Sequence, residues 1–203
     1  MFGILGYGGY IPRLRLLRRA VVEANAWYAP QFAGKARGTR SMANYDEDSL
    51  TMAVAAARDC LGPGEDRSAV RGVVVASNTL PFAERLNAAV VGGALTLDET
   101  VAAIDVGGSL RAGLSAVEQA LDAVRAGRGQ QLVIATDLRL SRAASSPELE
   151  QGDGAAALLL GEGEGVLAEV LGSGVRSADF VDHFRQSDEV IDYHWEERWV
   201  RDV

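Results

Sequence analysis

The run Ala-Ile-Asp-Val-Gly-Gly-Ser-Leu-Arg-Ala-Gly-Leu-Ser-Ala at positions 103–116 constrains this chain more than any other stretch. It predicts a buried strand over 101–106, a tight turn of small residues, and a helix from near Ser109 to about residue 126. Apolar residues at 110, 114, 117, 121 and 124 recur at helical spacing, which predicts one face packed against a sheet. Ser109 suits the N-cap, because its hydroxyl accepts a backbone N–H of the first turn. Such a strand-turn-helix elbow presents a side chain at a helix N-terminus, where the dipole and free N–H groups favour a thiolate or an oxyanion.

Asp105, position 110 five residues later, and the Ala112-Gly113 that opens an alanine-rich helix together resemble the nucleophile elbow of the thiolase superfamily. The resemblance is to its hydroxymethylglutaryl-CoA synthase and ketoacyl synthase III branch. There the residue five positions after the aspartate is the cysteine that becomes acylated, and here it is Leu110. A leucine cannot attack a thioester, so the acyl-enzyme step has no nucleophile unless Ser109 or a group outside the chain substitutes. Ser109 is therefore the candidate catalytic residue of the elbow, and Gly108 and Arg111 are the candidate substrate-binding residues.

Residues 70–76 (VRGVVVA) read as a second buried strand, a near-continuous β-branched run suited to a parallel sheet covered on both faces. A polar loop over 77–82 and a helix over 83–95 follow. The resemblance places the synthases' general acid/base glutamate at Asn78. Asparagine hydrogen-bonds but cannot shuttle a proton, and it suits equally well the cap of a turn before Pro81.

The rest of the chain fits around these two strands. Residues 2–10 predict a first strand, 14–27 a helix with apolar positions 14, 17, 21 and 24, and 28–44 a long connection. Acidic residues 46–48 open a helix that Gly62-Pro63-Gly64 ends near 61. Residues 131–136 predict a strand and 137–146 a polar loop. A Gly152-Asp153-Gly154 turn feeds an alanine-rich strand, whose small residues are expected to let it lie under the elbow helix. Residues 165–175 are expected as the last strand, joined to its neighbour by a hairpin over 162–165.

This order predicts an α/β fold: a thiolase-like half-domain over 1–176, with a mostly parallel five-stranded sheet, an antiparallel edge strand and helices on both faces. The tail, 177–203, mixes aromatic and charged residues and leads toward the family's second half-domain, which would hold the catalytic histidine and asparagine. His183 and His194, with Asp182, Glu196 and Glu197 nearby, match no metal-ligand spacing, so no metal is expected.

A formal charge of -8 speaks against a nucleic-acid surface. The one basic cluster, Arg13, Arg15, Arg18 and Arg19, alternates with Leu14, Leu16 and Leu17 and reads as the wet face of a helix. The single cysteine, Cys60, excludes a disulfide framework and points to a reducing, cytoplasmic setting. It lies at a helix C-terminus, whose dipole raises a thiol pKa, and is expected to be structural. No run of 18 apolar residues suggests a membrane span.

The resemblance implies a coenzyme A thioester or acyl-carrier substrate and no bound cofactor. A lone half-domain exposes the apolar surface that packs against its twin. The expected partner is a second thiolase-like half, with an OB-fold zinc-ribbon protein as the alternative, in a homo- or hetero-oligomer. Two functions stay open: a component of a condensing or cleaving acyltransferase, and a non-catalytic half that scaffolds its partner.

Overall fold

The β-branched run at 70–76 needs apolar cover on both faces, and the computed structural model provides it. The structure describes residues 1–64, 66–178, 183–186, 189–191 and 193–194. They form two compact units, one of Met1–Pro12, Ala43–Leu138 and Gly154–Ser173, the other of Arg13–Met42, Arg139–Asp153 and Gly174–Val203.

The first unit is a six-stranded sheet with strand order β5-β4-β6-β7-β1-β8. The strands are β1 (Phe2–Tyr10), β4 (Val70–Ala76), β5 (Ala102–Val106), β6 (Gln130–Asp137), β7 (Gly154–Glu162) and β8 (Ala168–Glu169). β4 pairs in parallel with β5 and β6, while β7 runs antiparallel to β6 and β1, and β8 antiparallel to β1. Four strands therefore point one way, and the opposed ones are an inner strand, β7, and an edge, β8. The α/β class is as expected, with six strands in place of five.

Alternation along β4 and β6 divides the core. Val73, Val75, Leu132 and Ile134 pack with Leu50, Ala53, Ala56 and Ala57 of α2 (Ser49–Leu61) and with Ala88 and Val91 of α3 (Asn87–Ala94). Val74, Ala76 and Val133 pack with Ala112, Ala116, Ala120, Leu121 and Val124 of α4 (Ala112–Arg125). Helices thus cover both faces, and each fully buried valine or leucine contributes about 1.5–3 kcal/mol of transfer free energy. α2 starts where its acidic residues suggest: the Asp48 side chain accepts from Thr51 N at 2.7 Å in a capping box, and Gly62, at φ 72°, ends it.

Three expectations about this unit are corrected. β8 is only two residues long and does not form a hairpin with β7; it pairs with Gly3 and Ile4 of β1. Both edges of β7 are already taken, by β6 and β1, so the returning chain finds the next free edge. The alanines of β7 do not lie under the elbow helix either. Ala155 and Ala157 belong to the α2 face, and Leu158 and Leu160 meet α4. The helix expected over 83–95 spans only Asn87–Ala94.

In the second unit the expected helix over 14–27 splits. Residues Leu14–Leu17 form β2, antiparallel to β3 (Thr39–Met42), and the helix α1 is Arg18–Ala24. The basic cluster is thus part strand and part helix, and the connection over 28–44 contains β3 and a 3-10 turn, Pro30–Lys35. A short helix, α5 (Ser146–Glu150), is tied in through Arg18 Nε to Leu149 O at 2.6 Å and Lys35 Nζ to Glu150 Oε1 at 2.5 Å. The tail is described only in part, as a two-stranded pair of β9 (His183–Phe184) and β10 (Tyr193–His194). Asp182, Glu196 and Glu197 lie outside the described residues. Among the described residues no helix is long and apolar enough to cross a membrane.

Candidate functional site

The loops that follow the parallel strands β4, β5 and β6 meet at the strands' C-terminal ends, the edge where open α/β sheets bind ligands. After β5 the chain turns through Gly107 and Gly108, and Gly108 has φ 78°, a conformation that costs a side-chain-bearing residue free energy. Residues 109–111 form a turn closed by Ala112 N donating to Ser109 O at 3.0 Å. The helix therefore begins at Ala112, with Arg111 as an N-cap that makes no side-chain cap bond. Ser109 is not the N-cap, although its Oγ accepts from Arg111 N at 3.1 Å. That contact supplies Ser109 with a donor, whereas a nucleophilic serine needs a base.

The buried face of α4 is made of small residues, at 112, 116 and 120, with Leu121 and Val124. Leu110 and Leu114, expected to pack on the sheet, are instead 61% and 69% exposed. Alanines at i, i+4 and i+8 bring the helix close to β4 and β6, and this face turns the two leucines outward. Ile104, on the sheet's edge strand, is 47% exposed.

Asn78 is tied into the elbow. Its Oδ1 accepts from Ser109 N at 3.1 Å and its Nδ2 donates to Ser109 O at 3.0 Å. The Asn78 main-chain N–H donates to Asp137 Oδ1 at 2.9 Å. The same oxygen accepts from Ser77 Oγ and Thr79 Oγ1, each at 3.0 Å, and Leu138 N donates to Thr79 Oγ1 at 2.9 Å. Asn78, Ser109, Leu110, Gly108 and Arg111 thus belong to one loop cluster. Asp137, Ser77 and Thr79 join it from the two polar loops expected over 137–146 and 77–82, the first of which resembles the family's active-site-proximal loop, although the sequence singles out none of the three. The signal for them was the Ser-Asn-Thr triplet after one strand and an aspartate closing the next, but the pairing spans 58–60 residues.

Cys60 lies elsewhere, in the last turn of α2, half-buried, with its pKa raised to about 11. Burial is the main cause and the Asp59 charge adds to it, while a hydrogen bond with the Leu159 backbone works against both. A thiol so placed is a poor nucleophile at neutral pH. Among the described residues no group of three or more His, Cys, Asp or Glu side chains is arranged to hold a metal ion.

No protein-family model matches the chain. Hydroxymethylglutaryl-CoA synthase of Archaeoglobus fulgidus is 29% identical over 165 residues, 80% of this chain and 48% of that protein. The synthase of Caldivirga maquilingensis is 30% identical over 162 residues, 78% and 46% of the two chains. The structure superposes on a hydroxymethylglutaryl-CoA synthase complexed with CoA at a TM-score of 0.82, with 20% identity, 99% of this chain and 52% of that one covered. A priming β-ketosynthase of the R1128 polyketide pathway gives 0.69, at 25% identity and coverage of 81% and 51%. This chain has a thiolase-like fold and is similar in sequence to hydroxymethylglutaryl-CoA synthases. It spans about half the length of the curated relatives it matches. In this thiolase-fold chain the elbow thus carries an exposed leucine at 110 and a hydrogen-bonded amide at 78.

Proposed function

We propose that this chain is a non-acylating half of a thiolase-fold acyl-CoA acyltransferase, engaging a coenzyme A thioester or acyl-carrier substrate without a covalent intermediate. The observation that carries this reading is Leu110, 61% exposed at the elbow position where the resembled family has its acylated cysteine. Leu110 offers the substrate an apolar contact. The first turn of α4, with Gly108 and Arg111 beside it, offers main-chain N–H groups that favour the partial negative charge of a thioester carbonyl. Carbon–carbon bond formation or cleavage also needs proton transfer, which the reading assigns to the histidine and asparagine of a second thiolase-fold half. The half-domain over 1–176 supplies the frame, in a reducing, cytoplasmic setting.

A second reading, a catalytically inactive half that scaffolds another thiolase-like chain or an OB-fold partner, is favoured by the exposure of Leu110, Leu114 and Ile104. Large apolar side chains gathered at one edge mark a surface built to be covered.

Exposure of the chain and of its Leu110→Cys variant to radiolabelled acetyl-CoA separates the possibilities. The proposal expects label on the variant and none on the parent. Label on the parent would overturn the non-acylating role, and label on neither would remove the acyl-CoA site from the account.

A further inference from the structure

Asn78 holds both main-chain groups of Ser109, and its own main chain is anchored to Asp137. The elbow passes so close to the loop after β4 that a Cβ on Gly107 would lie 2.9 Å from Ser77 O, and Ser77 N donates to Val106 O at 2.9 Å. The amide therefore closes a lock between two loops already in contact. An amide is the group that fits, because the lock needs one acceptor facing Ser109 N–H and one donor facing Ser109 C=O.

We infer that Asn78 is a positioning residue: its side-chain amide fixes the elbow's backbone, so that at this position the lock and a proton-transferring carboxylate exclude one another. A carboxylate at 78 keeps the acceptor but loses the donor, and it sets a negative oxygen against the Ser109 carbonyl. The chemistry that the proposed function leaves to a second half thus cannot be regained here by restoring a glutamate alone.

Asn78→Asp in the full chain tests the lock directly. A protonated carboxyl has one donor and one acceptor and mimics the amide, whereas the carboxylate does not. The other ionisable groups of the three loops are Glu84, Arg85, Arg111, Asp137, Arg139 and Arg142, all present in parent and variant, so each comparison is made with the parent at the same pH. Hydrogen exchange of the Ser109 amide should match the parent's below about pH 4 and run about tenfold faster above about pH 6. Equal protection at both pH values would overturn the lock. So would a loss of protection that extends equally to the β4 amides of Val73 and Val75, since that reports general destabilisation.

A second arm rests on the acyl-CoA reading. Leu110→Cys should be acylated by acetyl-CoA several-fold faster than the Leu110→Cys/Asn78→Glu double variant, and an equal or faster double variant contradicts the inference. Should Leu110→Cys take no label, the acyl-CoA reading fails while the exchange measurement still decides the lock.

Discussion

Asp105, in the strand that leads to the elbow, caps a different helix through Asn87: its Oδ2 accepts from Asn87 N at 2.8 Å and from Asn87 Nδ2 at 2.9 Å. Its Oδ1 takes Ala88 N at 2.7 Å. A carboxylate on free N–H groups at the start of α3 is stabilised by the helix dipole as well as by the bonds. Asn87, 1% exposed, then holds the preceding loop through Phe82 O and Arg85 O. Asp105→Ala should therefore lower unfolding free energy by about 2–3 kcal/mol in a urea titration, with Asp105→Asn costing less because one acceptor remains.

The Cys60 thiol supplies a pH dependence. Its folded-state pKa, about 11, lies above the ordinary 9.0, so burial stabilises the protonated thiol. That contribution is fully present below about pH 9 and is lost as pH rises toward 11. Urea midpoints should fall over this alkaline range in the parent and fall less in Cys60→Ala. Iodoacetamide should modify folded protein slowly at pH 8, and unfolded protein quickly.

Close approach of β1 to α2 depends on Gly8. A Cβ there would lie 2.2 Å from Cys60 N and 2.6 Å from Ala56 O, both backbone atoms that cannot move aside separately. Gly8→Ala should cost about 3 kcal/mol or more, seen as a fall in thermal midpoint, or abolish soluble expression.

Thr96 carries the opposite lesson. It ends α3 at φ 53°, a left-handed conformation in a β-branched residue, where Thr96 N donates to Gly93 O and Leu97 N to Gly92 O. Glycine holds this position without steric cost. Thr96→Gly should raise stability by about 0.5–1 kcal/mol in the same titration.

The sheet was legible in the sequence where one residue type ran unbroken. The valines of 73–75 and the Leu-Val-Ile of 132–134 specify strands buried on both sides, whatever their neighbours. Leu14–Leu17 was not legible, because the four residues Leu-Arg-Leu-Leu fit a strand or a helix turn, and the choice falls to pairing with Thr39–Met42, far along the chain. The face of α4 was legible at Val117, Leu121 and Val124 but not at Leu110 and Leu114, where Ala112 and Ala116 carry the contact in their place and hydrophobicity alone does not announce them. The family resemblance singles out Leu110 at the elbow and Asn78 in the loop after β4. The lock on Ser109 was not legible, since it depends on hydrogen bonds between loops 31 residues apart.

On the proposed function, this chain lends a thiolase-fold half to chemistry completed with another half. Native mass spectrometry of the protein, purified from its own source without over-expression, tests this most directly. A stable complex with a second thiolase-fold half that carries the histidine and asparagine is predicted. Masses corresponding only to copies of this chain would contradict it, since no partner would then supply those residues.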